Sequence, residues 1–360
     1  MVLTISAEHG LIDQEKYFNK SVAGKNLKNY YLLEKGDFAY NKSYSNGYPY
    51  GVVKKLNQYD KGIVSNLYIC FKPNENINST YLEQYFNSSK WNKEVYKIAT
   101  EGARNHGLLN VGINDFFNTK HKIPIIQEQE KIGNFLKEID TKIALMEQKQ
   151  EKLEKFKKYV INSLFNSTII KDGWKSLPLK EFLHEHKLKS TGKEEVYSVS
   201  VNKGVVNQIE HMGRSFSAKN TDKYNLVQPD DIIYTKSPTG DFPYGIIKQS
   251  HENRNVIVSP LYGVFTPETK ELGYILENYF ESPVYCHNYL HSLVQIGAKH
   301  TMNITNKTFL SKELYIPTDY NEQKKIYNTL YSLNNKIKLV KKEIKLVNRY
   351  KRGLIEKMFI

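Results

Sequence analysis

The chain has 360 residues, 40% of them hydrophobic, and its 52 basic and 38 acidic residues give a formal net charge of +14. This composition argues against wholesale disorder. The sequence contains no run of about 18 apolar residues, the length that a membrane-spanning helix needs. The N-terminus lacks the regions of a secretory signal, and Cys70 and Cys286 provide neither a disulfide framework nor a zinc pair. We therefore expect a cytoplasmic protein, and its charge favours a polyanionic partner, nucleic acid before a membrane surface.

The sequence contains an internal repeat with an offset of 194 positions, the distance from Val2 to Val196. Residues 2–73 and 196–267 align without a gap and share 24 identities in 72 positions. One residue is lost between GARNH (102–106) and GAKH (297–300), and the alignment recovers at KIPIIQEQEKI (122–132) and YIPTDYNEQKKI (315–326). A repeat of this length indicates two copies of one folded unit.

The two copies differ at their beginnings. The second copy opens with GWKSLPLKEFLHEHKLKS (173–190), and the equivalent of Trp174 would fall at position −20, before Met1. We therefore expect the first unit to be short at its N-terminus.

In chain order, each copy is predicted to form short strands separated by turns, and then helices. Turn-to-strand transitions lie at 36–40 and 231–234, turn clusters at 46–49 and 239–243, and further strands at 52–53, 67–71, 246–247 and 261–265. Residues 80–99 and 273–293 are predicted to be helical, with Pro283 breaking the second segment. This pattern indicates a mixed α/β unit.

A long helix is predicted beyond Pro124 and another beyond Pro317, because apolar residues then recur at steps of three and four. About 35 to 40 residues each would give rods of roughly 50–60 Å. We expect an antiparallel coiled coil with the units at opposite ends, related by a pseudo-two-fold axis. The predicted packing residues are Ile132, Leu136, Ile139, Ile143, Met146, Leu153, Ile326, Leu330, Leu333, Ile337, Val340, Ile344 and Val347, and the first stripe also includes Phe156.

The predicted fold class is α/β: two similar mixed α/β domains joined by two long antiparallel helices that form a coiled coil. The predicted segments are a first domain at 1–123, a first helix at 124–166, a second domain at 167–316 and a second helix at 317–360. Dimeric DNA readers use symmetry to read palindromes at a fixed spacing. A fused and diverged pair would instead suit a DNA site with two different halves, with the helices setting the spacing.

The chain resembles the specificity (S) subunits of type I restriction–modification systems. Residues 124–165 are similar to their conserved helical region. The proline at the start, the Glu128-Gln129 pair and the closing Leu-Phe fit it, and the second copy repeats them with Glu322-Gln323 and a closing Met-Phe. The segments GDFAYNKSYSNGYPYG and IVSNLYICF resemble their target-recognition domains. The resemblance covers essentially the whole chain and includes its repeat.

The resemblance implies a non-catalytic subunit in which each target-recognition domain reads one half of a split, asymmetric DNA target. It also implies that the helices dock two modification subunits, which methylate adenine with S-adenosylmethionine, and that restriction subunits add ATP- and Mg²⁺-dependent translocation and cleavage. No cofactor is expected in this chain. The short start of the first domain departs from the family pattern, which leaves open a truncated gene, a misassigned start or a silent recombination cassette.

The first candidate DNA contacts lie in a repeated loop. Its residues are Asn41, Lys42, Ser43 and Tyr44 in the first copy, and Thr235, Lys236 and Ser237 in the second. Lysine can meet phosphate or a guanine edge, and asparagine can pair with adenine. The alternative is that the tyrosines belong to the strand core and the lysines to an ordinary surface.

The second candidate is a basic loop after a glycine. It comprises Arg104, Asn105 and His106 in the first copy, and Lys299 and His300 in the second. Glycine permits a projecting turn whose basic side chain can enter a groove. An ordinary basic surface turn is the alternative.

Other chemistry has weaker support. Cys286, His287 and His291 have helical metal spacing, but the first copy does not repeat them, so we expect a partly buried helix face and no metal site. Asp231 has a counterpart in Asp37, which indicates a turn residue and not a nuclease site. A nuclease or methyltransferase with an unrecognised active site, and a purely structural coiled-coil adaptor, remain the alternative functions.

Overall fold

A computed structural model describes residues 1–20, 22, 27–99, 107, 109–166, 171–213, 220–296 and 302–359. The chain divides into two compact units. The first unit contains Met1–Lys149 and Val340–Ile360, and the second contains Gln150–Leu339. Each unit therefore combines one globular domain with parts of two long helices.

The first unit is a mixed α/β domain, as predicted. Its strands are β1 (Leu3–Ser6), β2 (Gly10–Asp13), β3 (Tyr31–Glu34), β4 (Phe38–Asn41), β5 (Val52–Lys55), β6 (Lys61–Val64) and β7 (Ile69–Phe71). Its helices are α1 (Gln14–Phe18), α2 (Ser79–Phe86), α3 (Asn92–Ile98), α4 (Ile113–Phe117) and the long α5 (Ile126–Leu164), which belongs to this unit as far as Lys149.

The second unit repeats this plan with additional strands. Its strands are β8 (Trp174–Pro178), β9 (Leu183–Glu185), β10 (Tyr197–Ser200), β11 (Gly204–Asn207), β12 (Asn225–Val227), β13 (Ile232–Tyr234), β14 (Ile247–Gln249), β15 (Val256–Val258), β16 (Gly263–Pro267), β17 (Gln295–Ile296), β18 (Met302–Asn303) and β19 (Glu313–Pro317). Its helices are a 3₁₀ turn (Leu179–Glu181), α6 (Gln208–Met212), α7 (Lys270–Phe280), α8 (Pro283–Leu290), α9 (Asn306–Ser311) and the long α10 (Tyr320–Met358).

Strand register follows the repeat. In the β4–β5 pair Tyr40 lies opposite Val53, and in the β13–β14 pair Tyr234 lies opposite Ile247, 194 positions later. The hairpins β1–β2 and β10–β11 match in the same way, as do the pairs β3–β6 and β12–β15 and the pairs β4–β7 and β13–β16. Because a slip of one residue would move every side chain to the opposite face, the shared register shows that both units present equivalent side chains to their cores.

The second unit adds two strand pairings at its edges. Strand β9 pairs with β16 and extends the sheet to the order β14–β13–β16–β9, whereas the first unit has only β5–β4–β7 among the residues described. Strand β8 pairs with β19, with Trp174 opposite Pro317. Both additions come from the segment 173–190, which precedes the repeated part of the sequence.

The long helices confirm the prediction of two rods after prolines. Each has 39 residues, which at a rise of ~1.5 Å per residue gives about 58 Å. The glutamine of each Glu-Gln pair is buried at the helix start, where Gln129 donates to the carbonyl of Pro124 and Gln323 to that of Pro317. Gln129 also accepts from the backbone N–H of Asn78, just before α2. This repeated glutamine therefore fixes each helix to its own domain.

Each unit contains the start of one long helix and the end of the other. In the first unit Leu136 of α5 lies in one core cluster with Ile355 and Phe359, at the end of α10. Asp140, four residues after Leu136 in α5, contacts Lys351, which lies four residues before Ile355 in α10. The two segments are therefore antiparallel. The second unit has the equivalent set, which is Leu330, Ile161 and Phe165.

The predicted packing residues are all buried or half-buried. Some of them contact a domain, since Ile132, Leu136 and Ile139 pack with the first core, and Ile326 and Leu330 lie in the second. Phe156 is exposed, so its place in the predicted stripe was wrong. The stripe members on either side of it, Leu153 and Val160, are half-buried, so the packed face of the helix passes beside Phe156.

The helical prediction for residues 80–99 also needs correction. This segment forms two helices, α2 and α3, separated at Asn87–Trp91. The break matches that between α7 and α8, where Ser282 caps α8 and Pro283 occupies its first turn. The first unit breaks the helix without a proline; at this break the indole N–H of Trp91 donates to the carbonyl of Phe86, and the Trp91 ring is buried.

Candidate nucleic-acid interface

The loop between β4 and β5 has a tightly fixed base. The buried Tyr40 hydroxyl donates to the carbonyl of Tyr50 at 2.7 Å, and burial raises the pKa of Tyr40, which keeps the hydroxyl protonated. Gly51 has φ +76°, and a Cβ there would lie 2.2 Å from the carbonyl oxygen of Asn41. Only glycine allows the two ends of the loop to approach this closely.

The corresponding loop of the second unit has the same geometry. Tyr234 donates to the carbonyl of Tyr244 at 2.8 Å, and Gly245 has φ +91°. The tip is closed by a tight pairing of Thr239 with Phe242, as Ser45 pairs with Tyr48 in the first unit. Tyr50, Gly51 and their counterparts therefore shape the base of the loop, and the tip residues can differ between the units.

In the first loop the predicted contact residues differ in whether the protein itself already binds their side chains. Asn41 accepts from the backbone N–H of Ser43 at 3.0 Å, and the Lys42 ammonium donates to the carbonyl of Val111 at 3.2 Å. Tyr44 is largely exposed. Tyr44 could therefore reach DNA in its present conformation, whereas Lys42 would have to give up a protein contact.

In the second loop Thr235 is buried, and its hydroxyl accepts from the backbone N–H of Ile246 at 3.1 Å. Lys236 has φ +55°, and burial lowers its pKa although nearby Glu185 opposes this effect. Ser237 is exposed. Thr235 is thus held by the fold, and Ser237 and Lys236 are the members nearest to solvent. Direct DNA contact by any of these residues remains a prediction.

The second predicted contact segment lies outside the described residues: Arg104, Asn105, His106, Lys299 and His300. The residues on either side of it are described. The N–H of Tyr44 donates to the carbonyl of Gly107 at 2.7 Å, and the N–H of Leu109 donates to that of Lys42. In the second unit, β17 and β18 pair on either side of the segment. In the first unit the residues that follow the second segment, Gly107 and Leu109, therefore pair with the first loop at Tyr44 and Lys42.

A groove of about 360 Å³ adjoins the first loop. It is lined by Asn41, Tyr44 and Tyr48 of the loop, by Glu8 in the β1–β2 turn and by Tyr17 of α1. Sequence reasoning missed Glu8 and Tyr17, and the available signal was an aromatic residue on the exposed side of a five-residue helix. Exposed tyrosines beside amide groups can contact bases and sugars.

The residues weighed for other chemistry have structural partners. Asp231 is fully buried and accepts from the N–H of Gln228 and the hydroxyl of Thr266, each at 2.7 Å. Asp37 likewise accepts from the N–H of Glu34, so the prediction of a turn residue is confirmed. The Cys286 thiol is buried, which raises its pKa to about 12, and it points to the carbonyl of Gly245. Among the described residues, no three His, Cys, Asp or Glu side chains are grouped to hold a metal ion.

A comparison with models of protein families identifies one family. A family model described as the type I restriction modification DNA specificity domain matches residues 7–155 and again residues 171–349. A search of curated proteins finds no match.

Three solved structures are similar to this chain, and the two with TM-scores of 0.50 and above share its fold. An S subunit of a type I restriction–modification system from M. genitalium has 14% identity and a TM-score of 0.53, covering 91% of this chain and 84% of that one. A structure from a study of complex assembly and conformational transition of the type I R-M system has 13% identity and a TM-score of 0.50, covering 93% and 84%. The HsdS subunit from Thermoanaerobacter tengcongensis has 15% identity and a TM-score of 0.44, covering 91% and 81%.

Proposed function

The chain belongs to the type I restriction modification DNA specificity family, and we propose from this premise that its two units each read one half of a split DNA target. Its role is that of a DNA sequence-specificity subunit. The observation that supports a split target is the presence of two specificity domains with the same strand registers and different loop tips. A shared backbone with different side chains suits two related but unequal half-sites.

The repeated loops are the proposed reading elements. Each is closed at its base by a tyrosine hydroxyl and a glycine with positive φ, which hold the backbone in one conformation. The tips then differ in side chain, since Tyr44 of the first unit stands at the position of Pro238 in the second. A rigid base with variable tip side chains is an arrangement that can change sequence preference without changing the fold.

The long helices are the proposed docking surfaces for two copies of a modification subunit. Each helix carries three large apolar or aromatic side chains that are more than half exposed, and two of the three lie at equivalent positions: Leu145 and Phe156 on α5, and Leu339 and Tyr350 on α10. Isolated exposed apolar residues are common, but the same pair repeated at a spacing of 11 residues favours recognition of the same partner twice.

We infer that methyl transfer and DNA cleavage take place in partner subunits, and that S-adenosylmethionine, ATP and Mg²⁺ bind there. This chain would then contribute DNA contacts and spacing, in the cytoplasm. Within the described residues, no helix is both long and apolar enough to cross a membrane.

The test is to map adenine methylation in the host with and without this gene. Loss of one split motif is the expected result, and an unchanged methylome contradicts the proposal. Exchange of residues 174–316 for the second domain of another family member should alter one half-site only. A change in both halves would contradict separate reading, and cutting or methylation of DNA by the purified chain alone would favour an enzyme.

A second test concerns single contacts. Lys236→Ala should weaken DNA binding, and if Lys236 contacts phosphate, it should do so for all sequences and lower the salt dependence by about one charge. The exposed Lys193, which lies away from the loop tip in the sequence, provides a control of equal charge through Lys193→Ala. An unchanged salt dependence in Lys236→Ala would reject the phosphate contact.

A further inference from the structure

The turn between β1 and β2 places an acidic side chain in the groove beside the first loop. Glu8 lines this groove of about 360 Å³ together with the loop residues Asn41, Tyr44 and Tyr48. Among the described residues of the lining, Glu8 alone has a charged side chain, although the whole chain has a net charge of +14. The described lining therefore offers carboxylate, amide and tyrosine groups, and none of its side chains is a cation for a phosphate.

The fold fixes the position of this turn. The Ser6 hydroxyl accepts from the N–H of His9 at 3.2 Å, and the His9 ring lies edge-on to Tyr17 of α1, with 6.5 Å between the ring centroids. The residues 194 positions later, Lys203 and His211, are also in contact, with 3.2 Å between the Lys203 ammonium and a ring nitrogen of His211. The turn therefore has an equivalent place in both units.

The side chains at this place differ between the units, although the registers of the two hairpins agree. Glu8 corresponds to Asn202, and Asn46, which also lines the groove, corresponds to Gly240. A carboxylate only accepts hydrogen bonds, whereas the amide of Asn202 both accepts and donates. Positions that change their chemistry on a shared backbone are the ones that can distinguish two unequal half-sites.

The Glu8 carboxylate is available to a hydrogen-bond donor. Its side chain is exposed, and within the described part of the chain it has no hydrogen-bond or ion-pair partner. Phosphates repel a carboxylate on a surface that faces DNA, so Glu8 is unsuited to contacts with the DNA backbone. The donors that the major groove offers instead are the amino groups of cytosine and adenine.

The neighbouring atoms of the two bases favour cytosine. Adenine has its N7 acceptor beside the N6 amino group, and N7 repels the second oxygen of a carboxylate. Cytosine has no acceptor beside its N4 amino group in the major groove, so a carboxylate oxygen accepts from it without this repulsion. An amide donates to N7 and accepts from N6, which makes asparagine or glutamine the partner of adenine.

We propose that Glu8 is a specificity-determining residue of the first unit, which selects a C·G base pair by accepting a hydrogen bond from the cytosine amino group in the major groove. The second unit has an amide at this place, in Asn202, and makes a different selection. This inference rests on the proposed reading of one half-site by each unit, and it adds the residue and the base.

The test maps adenine methylation in the host after the gene is replaced by variants. The half-site of the first unit is the half that exchange of residues 174–316 leaves unchanged, and it should contain at least one specified C·G pair. In Glu8→Ala, discrimination against other base pairs at that position should fall about tenfold. In Glu8→Gln the same position should prefer A·T, because a glutamine amide matches N6 and N7 of adenine.

Binding of the purified full chain to duplex DNA provides a second measurement. Loss of a carboxylate that faces phosphates should strengthen binding of Glu8→Gln to unrelated duplexes about threefold at low salt, while discrimination falls. The control is Glu15→Gln, which removes the same charge from an exposed position on α1 outside the groove lining. This control should leave every base preference unchanged.

A first half-site without a specified C·G pair would overturn the proposal, as would an unchanged motif in both Glu8 variants or a change in the second half-site. Weaker binding of Glu8→Gln to every duplex would also overturn it, because Glu8 would then support the turn. Relaxation of the same base pair in Glu15→Gln would assign the effect to net charge. Each of these results leaves the split motif of the wild type in place, whereas absence of any such motif would overturn the proposed function as well.

Discussion

In the second unit Ile316 is completely buried, whereas Ile123, its counterpart in the first unit, is nearly half exposed. The two residues follow from the same repeat and lie before equivalent prolines. In the second unit the segment 173–190 covers Ile316 as β8, whereas no strand of the described residues pairs along Ile123. The two copies thus share a backbone conformation, whereas the contribution of an equivalent side chain to the free energy of unfolding depends on what packs over it.

A second comparison concerns the junction between domain and helices. In the second unit Lys248 is nearly buried, 3.5 Å from Glu281 and 4.0 Å from Glu277, and Lys157 of α5 also pairs with Glu281. Burial acts to raise the pKa of Glu281, but Lys248 and Lys157 outweigh it and lower that pKa. This unit joins its helix to its domain through charge.

The first unit uses the same positions with less charge. Lys54, the counterpart of Lys248, donates to the neutral amide of Asn87, which replaces Glu281. Lys351, the counterpart of Lys157, pairs with Asp140 at 2.5 Å, and Gln84 donates to the same carboxylate. The junction is therefore repeated in place and altered in chemistry.

The largest expected effect is shared by both units. Phe359→Ala and Phe165→Ala each remove a buried aromatic from a helix end, where Phe359 contacts Tyr81 and Tyr85, and Phe165 contacts Trp174 and Tyr279. Each should cost about 3–5 kcal/mol in the free energy of unfolding, by lost burial and a remaining cavity. Amide exchange should locate each loss in the unit that contains the substituted residue.

A control for the helix ends is Phe156→Ala, since Phe156 is exposed on the same helix as Phe165. It should change stability by less than about 1 kcal/mol. A loss of equal size in Phe156→Ala and Phe165→Ala would contradict the packing described for the helix ends.

The next effect distinguishes the units. Ile316→Ala should destabilise the second unit by about 2–4 kcal/mol, whereas Ile123→Ala should cost less than about 1 kcal/mol in the first. The measurement is chemical denaturation together with amide exchange in each unit. Equal losses would contradict the difference in burial between Ile123 and Ile316.

A smaller difference in stability between the units is expected at the junction of domain and helices. Lys248→Met leaves two carboxylates with fewer cationic partners and should cost roughly 2–3 kcal/mol, less than a fully buried pair because Glu281 is partly exposed. Burial lowers the pKa of Lys54 and its nearest partner is neutral, so Lys54→Met should be nearly neutral. Stability measured at pH 7 for both variants checks this, and a larger loss in Lys54→Met would contradict it.

The smallest effect depends on pH. His251 lies 2.8 Å from Glu277, whose hydrogen bond raises the pKa of His251, although burial opposes this. Because the folded pKa lies above the unfolded value of about 6.5, the pair stabilises the fold below that pH, and the contribution is lost as the pH rises through the folded pKa. NMR titration of His251 should show a midpoint above that of a free histidine.

The first unit supplies the matched control. Asn57 stands in the position of His251 and donates to Glu83 at 2.6 Å, a contact that involves no histidine titration. His251→Asn should therefore remove this pH dependence of stability from the second unit. A pH dependence that persists in His251→Asn would assign it to another group.

Much of the fold could be predicted because its signals are local. The repeat fixed which strands correspond, and the registers agree with it at every shared pair, since turn residues and alternating apolar positions act over a few neighbours. The long helices were also predictable, from the prolines and the steps of three and four. The candidate site was predictable in part, because Tyr40, Gly51 and their counterparts stood out in the repeat.

The sequence by itself thus determined the duplication, the strand registers, the two long helices and the loops that face outward. Only the tertiary structure decided that Gln129 caps a proline carbonyl, that Thr235 is held inside, that Phe156 faces solvent and that Tyr17 joins the groove of the first loop. Backbone conformation depends on neighbouring residues, which the repeat preserves. Burial and pairing depend on residues that are distant in the chain, and there the two copies of this sequence are covered differently.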